Sequence, residues 1–94
     1  KSKLGEAIEI FPGKSESWLM LGFEDNCKMY FNGNDNADSA FIEVKIFGKA
    51  NKSDCDKMTE KICEIIGDEL NISPARIYVK YEECDLWGWN GRNF

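Results

Sequence analysis

The helical pattern of Lys61-Ile-Cys-Glu-Ile-Ile66 decides the fold, because Lys3-Leu-Gly-Glu-Ala-Ile8 carries the same pattern earlier in the chain. At the same offset, the apolar positions of the segments that follow also coincide: Leu19 with Ile77, Leu21 with Val79, and Phe23 with Tyr81. Agreement over about twenty positions indicates an internal repeat. The chain is therefore predicted to contain two copies of one helix–strand unit.

The first copy is predicted to begin with a helix over residues 1–11. Its apolar residues have the spacing of one helix face: Leu4, Ala7, Ile8 and Phe11. Pro12-Gly13 ends this helix. The apolar run from Trp18 to Phe23 predicts a buried strand, and residues 27–31 predict a second, shorter one.

The second copy repeats these elements with clearer boundaries. Residues 41–47 alternate as in a strand, and Ser53 is predicted to cap the helix that follows. Ser73-Pro74 predicts a short helical turn, residues 76–82 a strand, and Asn90-Gly91 a tight turn. The predicted buried residues are Met58, Ile62, Ile65, Ile66 and Leu70 in the helix and Ile77, Val79 and Tyr81 in the strand.

The repeat also predicts a strand upstream of Lys1. A strand at residues 41–47 precedes the helix of the second copy, whereas the sequence starts at the helix of the first copy. The upstream strand would bury roughly three side chains at ~1.5–3 kcal/mol each. This is comparable with the ~5–15 kcal/mol stability of a whole domain. We therefore expect residues 1–94 to be an incomplete folding unit.

Composition narrows the class of partner. A formal net charge of −5 and a hydrophobic content of 43% are typical of one globular domain. No stripe of lysine and arginine is present to neutralise phosphates or anionic lipid, so neither nucleic acid nor a membrane is an expected partner. No apolar run approaches a membrane span and no signal peptide is recognised, which predicts a cytoplasmic protein or one secreted without a signal peptide.

The residue types exclude several chemistries. The sequence has no histidine, so Ser-His and Cys-His catalysis and most zinc sites are excluded. The four cysteines form no Cys-x-x-Cys pair, and they are interpreted as reduced structural thiols. Neither a metal nor a cofactor is expected.

Three segments together resemble the macrophage migration inhibitory factor (MIF) family of the tautomerase superfamily. They are Ile46-Phe-Gly-Lys49, Ile72-Ser-Pro-Ala-Arg-Ile-Tyr78, and the tail Trp87-Gly-Trp-Asn-Gly91 that runs to Phe94. The resemblance spans nearly the whole chain. The vertebrate family member's Cys-x-x-Cys motif has no counterpart in residues 34–39, so thiol-oxidoreductase activity is not expected.

The resemblance implies an α/β (α+β) two-layer sandwich. Residues 1–94 would form one domain of two pseudo-repeated β-α-β units, lacking the first strand and the start of helix 1. A four-stranded mixed sheet would carry two antiparallel helices on one face, and three subunits would form a homotrimer. The residues expected to face the sheet are Leu4, Ile8, Ile62 and Ile66.

The resemblance also implies keto–enol tautomerase activity on phenylpyruvate-like or dopachrome-like substrates, which are small aromatic 2-keto acids or similar compounds. In this family the catalytic base is an N-terminal proline. That proline is expected at the start of the predicted upstream strand, so residues 1–94 alone are predicted to be inactive. No cofactor is implied.

Residue by residue, the resemblance assigns a substrate site. Lys14, in the Gly-Lys pair after the first helix, would bind the substrate carboxylate or enolate oxygen. The other substrate-binding positions are Trp18, Phe47, Tyr78, Lys80, Trp89 and Phe94. Tyr78 would come from the neighbouring subunit, and lysine at position 80 replaces an asparagine of the vertebrate protein.

Other interpretations remain open at this point. Lys14 could be a solvated loop lysine, Trp18 and Phe47 could be core residues, and Trp87 and Trp89 could pack between subunits. The whole protein could be a MIF-like cytokine or binding protein without catalysis, with an unknown receptor. An unrelated α/β interaction module is a third alternative, which the Trp-Gly-Trp-Asn-Gly tail disfavours.

Overall fold

The first helix has the predicted position. A computed structural model describes residues 2–24, 33 and 37–93. Helix α1 covers Ser2–Ala7 and continues as a 3-10 turn over Ile8–Ile10. Gly13 then adopts a φ of 78°, which the helix cannot accommodate, so the chain turns away there as Pro12-Gly13 predicted.

The second helix, α2, covers Lys52–Leu70. Its cap is Asn51, whose side-chain oxygen accepts a hydrogen bond of 2.8 Å from the backbone N–H of Asp54. The prediction that Ser53 caps the helix is wrong, because Ser53 already lies inside the first turn. Asn51 has an extended backbone, with φ −86° and ψ 159°, immediately before the helix. This conformation lets its side chain reach the unpaired N–H groups of the first helical turn.

Two parallel strands flank α2 in sequence. Strand β1 covers Ala40–Phe47 and β2 covers Ile77–Cys84, with Phe41 opposite Tyr78 and Phe47 opposite Cys84. Parallel strands need a crossover connection, which α2 supplies. The predicted turn at Ser73-Pro74 is confirmed: the Ser73 hydroxyl accepts from the backbone N–H of Ala75 at 3.3 Å, before a 3-10 turn over Pro74–Arg76.

The tail forms a small hairpin. Strands β3, Gly88–Trp89, and β4, Arg92–Asn93, pair antiparallel. Asn90 and Gly91 both have positive φ, at 53° and 88°. This is the backbone of a two-residue hairpin turn and confirms the predicted Asn-Gly turn.

The core lies between the helices and one face of the β1–β2 sheet. Its buried cluster consists of Ala7, Ile8, Phe11, Ile46, Met58, Ile62 and Ile65, with Leu4, Ile42, Val44, Ile66, Val79 and Tyr81 packed against it. The two-layer α+β class and its helix faces are thus confirmed. Leu70 is the exception, since it is 58% exposed at the last helical position, past the end of the cluster.

The predicted strand from Trp18 to Phe23 does not form. Residues 16–18 make a 3-10 turn, and residues 19–24 lie in neither helix nor strand. Several of its apolar side chains are exposed, including Met20 at 93% and Phe23 at 72%. A strand needs a neighbour to satisfy its backbone groups, and within the described ranges no strand pairs with this segment.

The predicted four-stranded sheet is not complete among the described residues, where β1 and β2 form a two-stranded sheet. Considering residues 2–24, 33 and 37–93, β1 is hydrogen-bonded to a strand along one edge only, the edge that faces β2. The predicted strand at 27–31 lies outside the described residues.

Candidate active site

Lys14 joins the first repeat to the end of β1. Its backbone N–H donates to the carbonyl of Phe11 at 3.1 Å, which closes the turn after α1. Its Nζ atom donates to the carbonyl oxygen of Phe47 at 3.0 Å in a partly buried position. The turn and this bond together place the ammonium group at the carboxyl end of β1.

No acid among the described residues neutralises the charge of Lys14. None of the described carboxylates lies within salt-bridge distance of Nζ. A carbonyl partner leaves the ammonium with its full positive charge and two further donor hydrogens. The ammonium group therefore keeps donors for a further acceptor, which the predicted role of Lys14 requires, and that role stays a prediction.

Two aromatic pairs lie around the same end of the sheet. The rings of Phe47 and Trp87 meet edge to face with centroids 6.4 Å apart. The rings of Trp18 and Trp89 do the same at 5.4 Å. Such pairs are favourable beyond their buried area, so the tail is held against both repeats. Lys14, Phe47, Trp18 and Trp89, all predicted site residues, are thus brought to one region.

Trp87 was not among the residues assigned to the substrate site, and its contact with Phe47 adds it to this aromatic region. The signal in the sequence was the spacing of two tryptophans around Gly88. A Cβ atom at Gly88 would lie 2.9 Å from Oδ1 of Asn93, so a larger residue there would require the Asn93 side chain to move.

Tyr78 and Lys80 lie elsewhere in the subunit. Tyr78 stands opposite Phe41 at the start of the strands, with ring centroids 6.3 Å apart. At about 3.3 Å per residue, the length of β1 puts roughly 20 Å between that pair and Phe47. Lys80 Nζ lies 3.5 Å from a carboxylate oxygen of Glu82. Within one chain, neither residue reaches Lys14, and Phe94 lies outside the described residues.

A cleft of about 160 Å³ lies beside Lys14. Its other lining residues are Phe11, Pro12, Ile46, Lys49, Ala50, Asn51 and Asp54. It contains no other predicted site residue and is smaller than the ~300–1,000 Å³ of ordinary ligand pockets. The described residues of one chain therefore do not enclose a pocket of that size.

The cysteine and acidic residues of the described ranges do not cluster as metal ligands. No group of three or more potential ligands converges among them. Burial, followed by the negative charges of Glu83 and Asp56, raises the pKa of the Cys55 thiol, which disfavours the reactive thiolate.

Among the described residues, no helix has the length and apolar character needed to cross a membrane.

Comparison with known proteins identifies the family. The family model described as macrophage migration inhibitory factor (MIF) matches residues 1–94. The macrophage migration inhibitory factor of Mus musculus is 26% identical over 95 aligned residues, which cover 99% of this chain and 82% of the mouse protein.

Solved structures agree with the sequence comparison. Leishmania major MIF2 superposes with a TM-score of 0.85 at 32% identity, covering 99% of this chain and 83% of that one. A macrophage migration inhibitory factor homologue from Prochlorococcus marinus has a TM-score of 0.79 at 34% identity, covering 99% and 79%. With one repeat pattern, one fold and a family match along its whole length, this chain belongs to the MIF family.

Proposed function

We propose that this chain is a subunit of a MIF-type keto–enol tautomerase acting on phenylpyruvate-like aromatic 2-keto acids or on dopachrome-like substrates. The observation that carries the proposal is the Lys14 ammonium, held on the Phe47 carbonyl without a described carboxylate partner. It stands beside the aromatic pair of Phe47 and Trp87. A cation next to aromatic rings suits a substrate that joins a carboxylate to an aryl group.

The catalytic base in this proposal is an N-terminal proline on the strand that the repeat places upstream of Lys1. Two features of the fold support such a strand: the free edge of β1 and the exposed apolar side chains of residues 18–23. An α-amine has a pKa near 8. Inserted near Lys14, it would lose part of its affinity for a proton through desolvation and like-charge repulsion. It could then remove a proton from the carbon next to the carbonyl group and return it to the carbonyl oxygen, or carry out the reverse transfer.

The proposal includes a homotrimer. Tyr78 and Lys80 are too far along β2 to reach Lys14 of their own chain, so a pocket that uses them needs a second subunit. Tyr78 is 58% exposed and Phe41 beside it is 55% exposed, on the face of the sheet that the helices leave uncovered. In the trimer, a neighbouring chain would cover these rings, and Tyr78 would enter the substrate site of that neighbour.

The test compares residues 1–94 with the full-length protein whose mature chain starts at the upstream proline. Ultraviolet absorbance would follow the enol of phenylpyruvate in both. We expect negligible activity for residues 1–94 and a gain of at least ~10²–10⁴-fold in the full-length protein. Replacing the terminal proline by glycine should mainly lower kcat, because the amine becomes primary while the pocket is retained.

Sedimentation of the full-length protein at micromolar concentration checks its assembly. A stable monomer would contradict the trimer and any site that contains Tyr78. A folded trimer without activity on aryl 2-keto acids would overturn the enzyme assignment. The alternative, a MIF-like cytokine or binding protein with a vestigial pocket, would then take its place.

A further inference from the structure

The carboxylate of Glu83 holds the segment that follows β1. Its Oε2 atom accepts a hydrogen bond of 2.8 Å from the backbone N–H of Ala50, and its Oε1 atom lies 3.8 Å from Nζ of Lys49. The neighbouring residue, Cys84, accepts a hydrogen bond of 2.9 Å from the backbone N–H of Gly48 through its carbonyl oxygen. The end of β2 therefore anchors residues 48–50 through two backbone amides, those of Gly48 and Ala50.

This segment carries the partner of Lys14. The Phe47 carbonyl and the Gly48 N–H belong to one planar peptide unit and point in opposite directions. When Gly48 donates to Cys84, the Phe47 oxygen is turned to the other side, where Lys14 Nζ meets it at 3.0 Å. The orientation of this peptide unit thus decides where the ammonium group stands.

Gly48 makes this orientation easy to lose. Its φ of 91° lies in the region that glycine enters freely, and a Cβ atom there would meet nothing within 4 Å. The peptide unit before it therefore has little steric restraint of its own. The hydrogen bond from the Ala50 N–H to Glu83 restrains the residues after Gly48. This restraint keeps the Phe47–Gly48 peptide unit from rotating.

We infer that Glu83 is a positioning residue for Lys14. It acts through the Phe47–Ala50 segment and touches no substrate, and the inference rests on the function proposed above for Lys14. The Glu83 side chain is 38% exposed, so solvent screens its charge. The hydrogen bond to Ala50 carries the effect, and the charge on Lys49 contributes little.

Steady-state kinetics on phenylpyruvate with the full-length protein test this. Losing one hydrogen bond of about 1 kcal/mol corresponds to about fivefold in binding, so Glu83→Ala should raise KM about fivefold and change kcat less than about twofold. Glu83→Gln keeps an oxygen for Ala50 and should stay within about twofold of the wild type. Glu64→Ala, which breaks the exposed 3.5 Å ion pair with Lys61 on α2, is the matched control and should have no effect.

A double-mutant cycle separates positioning from general damage. If Glu83 acts through Lys14, adding Glu83→Ala to Lys14→Ala should leave KM unchanged, because no ammonium remains to be displaced. Additive effects of the two substitutions would overturn the inference. So would an unchanged KM in Glu83→Ala, or an equal loss of activity in Glu83→Gln.

Binding of 3-phenylpropionate, followed by calorimetry, separates failure of this inference from failure of the proposed function. An inactive wild type that binds this carboxylate, with about fivefold weaker binding in Glu83→Ala, overturns the enzyme but supports the positioning role. A wild type that neither turns over phenylpyruvate nor binds 3-phenylpropionate overturns both. An active wild type, together with an unaltered affinity of Glu83→Ala for 3-phenylpropionate, overturns the positioning role alone.

Discussion

Lys14 Nζ and the carbonyl oxygen of Phe47 lie 3.0 Å apart and form a hydrogen bond between the two repeats. The bond connects the turn after α1 to the last residue of β1. Because the acceptor is a neutral carbonyl, the lysine keeps its charge for a ligand. Phe47 also contacts the ring of Trp87, so the Lys14 cation and an apolar surface lie side by side.

Removing the cation should weaken substrate binding more than turnover. In the full-length protein we expect Lys14→Ala to raise KM for phenylpyruvate about 10- to 100-fold, since a hydrogen bond to a charged group contributes ~1.5–3 kcal/mol. Lys14→Arg keeps the positive charge but changes its geometry, so its KM should lie between the KM of the wild type and that of Lys14→Ala. Lys57→Ala, an exposed lysine of α2, serves as control. A fall in kcat at constant KM would contradict the binding role.

The cap of α2 can be tested by two neighbouring substitutions. Asn51→Ala removes the acceptor of the Asp54 N–H and should cost about 1 kcal/mol of unfolding free energy. Ser53→Ala lies within the helix and should be neutral or slightly stabilising, because alanine has the higher helix propensity. Urea unfolding at a fixed subunit concentration measures both. A larger loss for Ser53→Ala would restore the cap assignment made from the sequence.

Burial along α2 predicts a steep contrast between two aliphatic residues. Ile62 is 2% exposed in the core, and Ile62→Ala should cost about 2–5 kcal/mol through lost contacts and the cavity that remains. Leu70→Ala, at a position 58% exposed, should change stability by less than about 1 kcal/mol. Thermal and urea unfolding of the full-length protein measure the loss of unfolding free energy in each variant. Equal losses would indicate that Leu70 is covered in the assembled protein.

Tyr81 predicts a loss of stability in alkali. Its hydroxyl donates to the Cys55 carbonyl at 3.1 Å and lies 2.7 Å from the Thr59 hydroxyl, which leaves Thr59 as the donor in that pair. Burial raises the pKa of Tyr81, although the Thr59 hydrogen bond opposes the shift. The unfolded tyrosine therefore ionises first, from about pH 10. The unfolding free energy should fall as the pH rises through the folded pKa.

Tyr81→Phe isolates this effect. At neutral pH it should be less stable by about 1 kcal/mol, because two hydrogen bonds are lost. Its stability should fall less steeply above about pH 10 than that of the wild type. Cys55, whose pKa is also raised, is present in both proteins and cancels in the comparison. Parallel pH curves for the two proteins would exclude a contribution from Tyr81.

Local patterns were sufficient for much of the fold. The alternation of Ile77, Val79 and Tyr81 predicted the inward face of β2, and Ser73-Pro74 and Asn90-Gly91 predicted their turns. Each of these depends on neighbouring residues, through the two-residue period of a strand or the φ that a residue type allows. Trp18 to Phe23 has an equally clear strand pattern but forms no strand, because a strand needs a partner for its backbone groups and no described strand pairs with this segment.

The sequence by itself therefore determined the repeat, the two helices, the strands β1 and β2, the hairpin turn and the family. Only the tertiary structure decided which distant residues meet. Lys14 reaches Phe47, Trp18 meets Trp89, and Glu83 binds the amide of Ala50. It also separated Tyr78 from Lys14 by the length of the sheet. Periodicity reports which face of an element a residue occupies, whereas contacts between elements depend on the path of the backbone through space, to which no local pattern is sensitive.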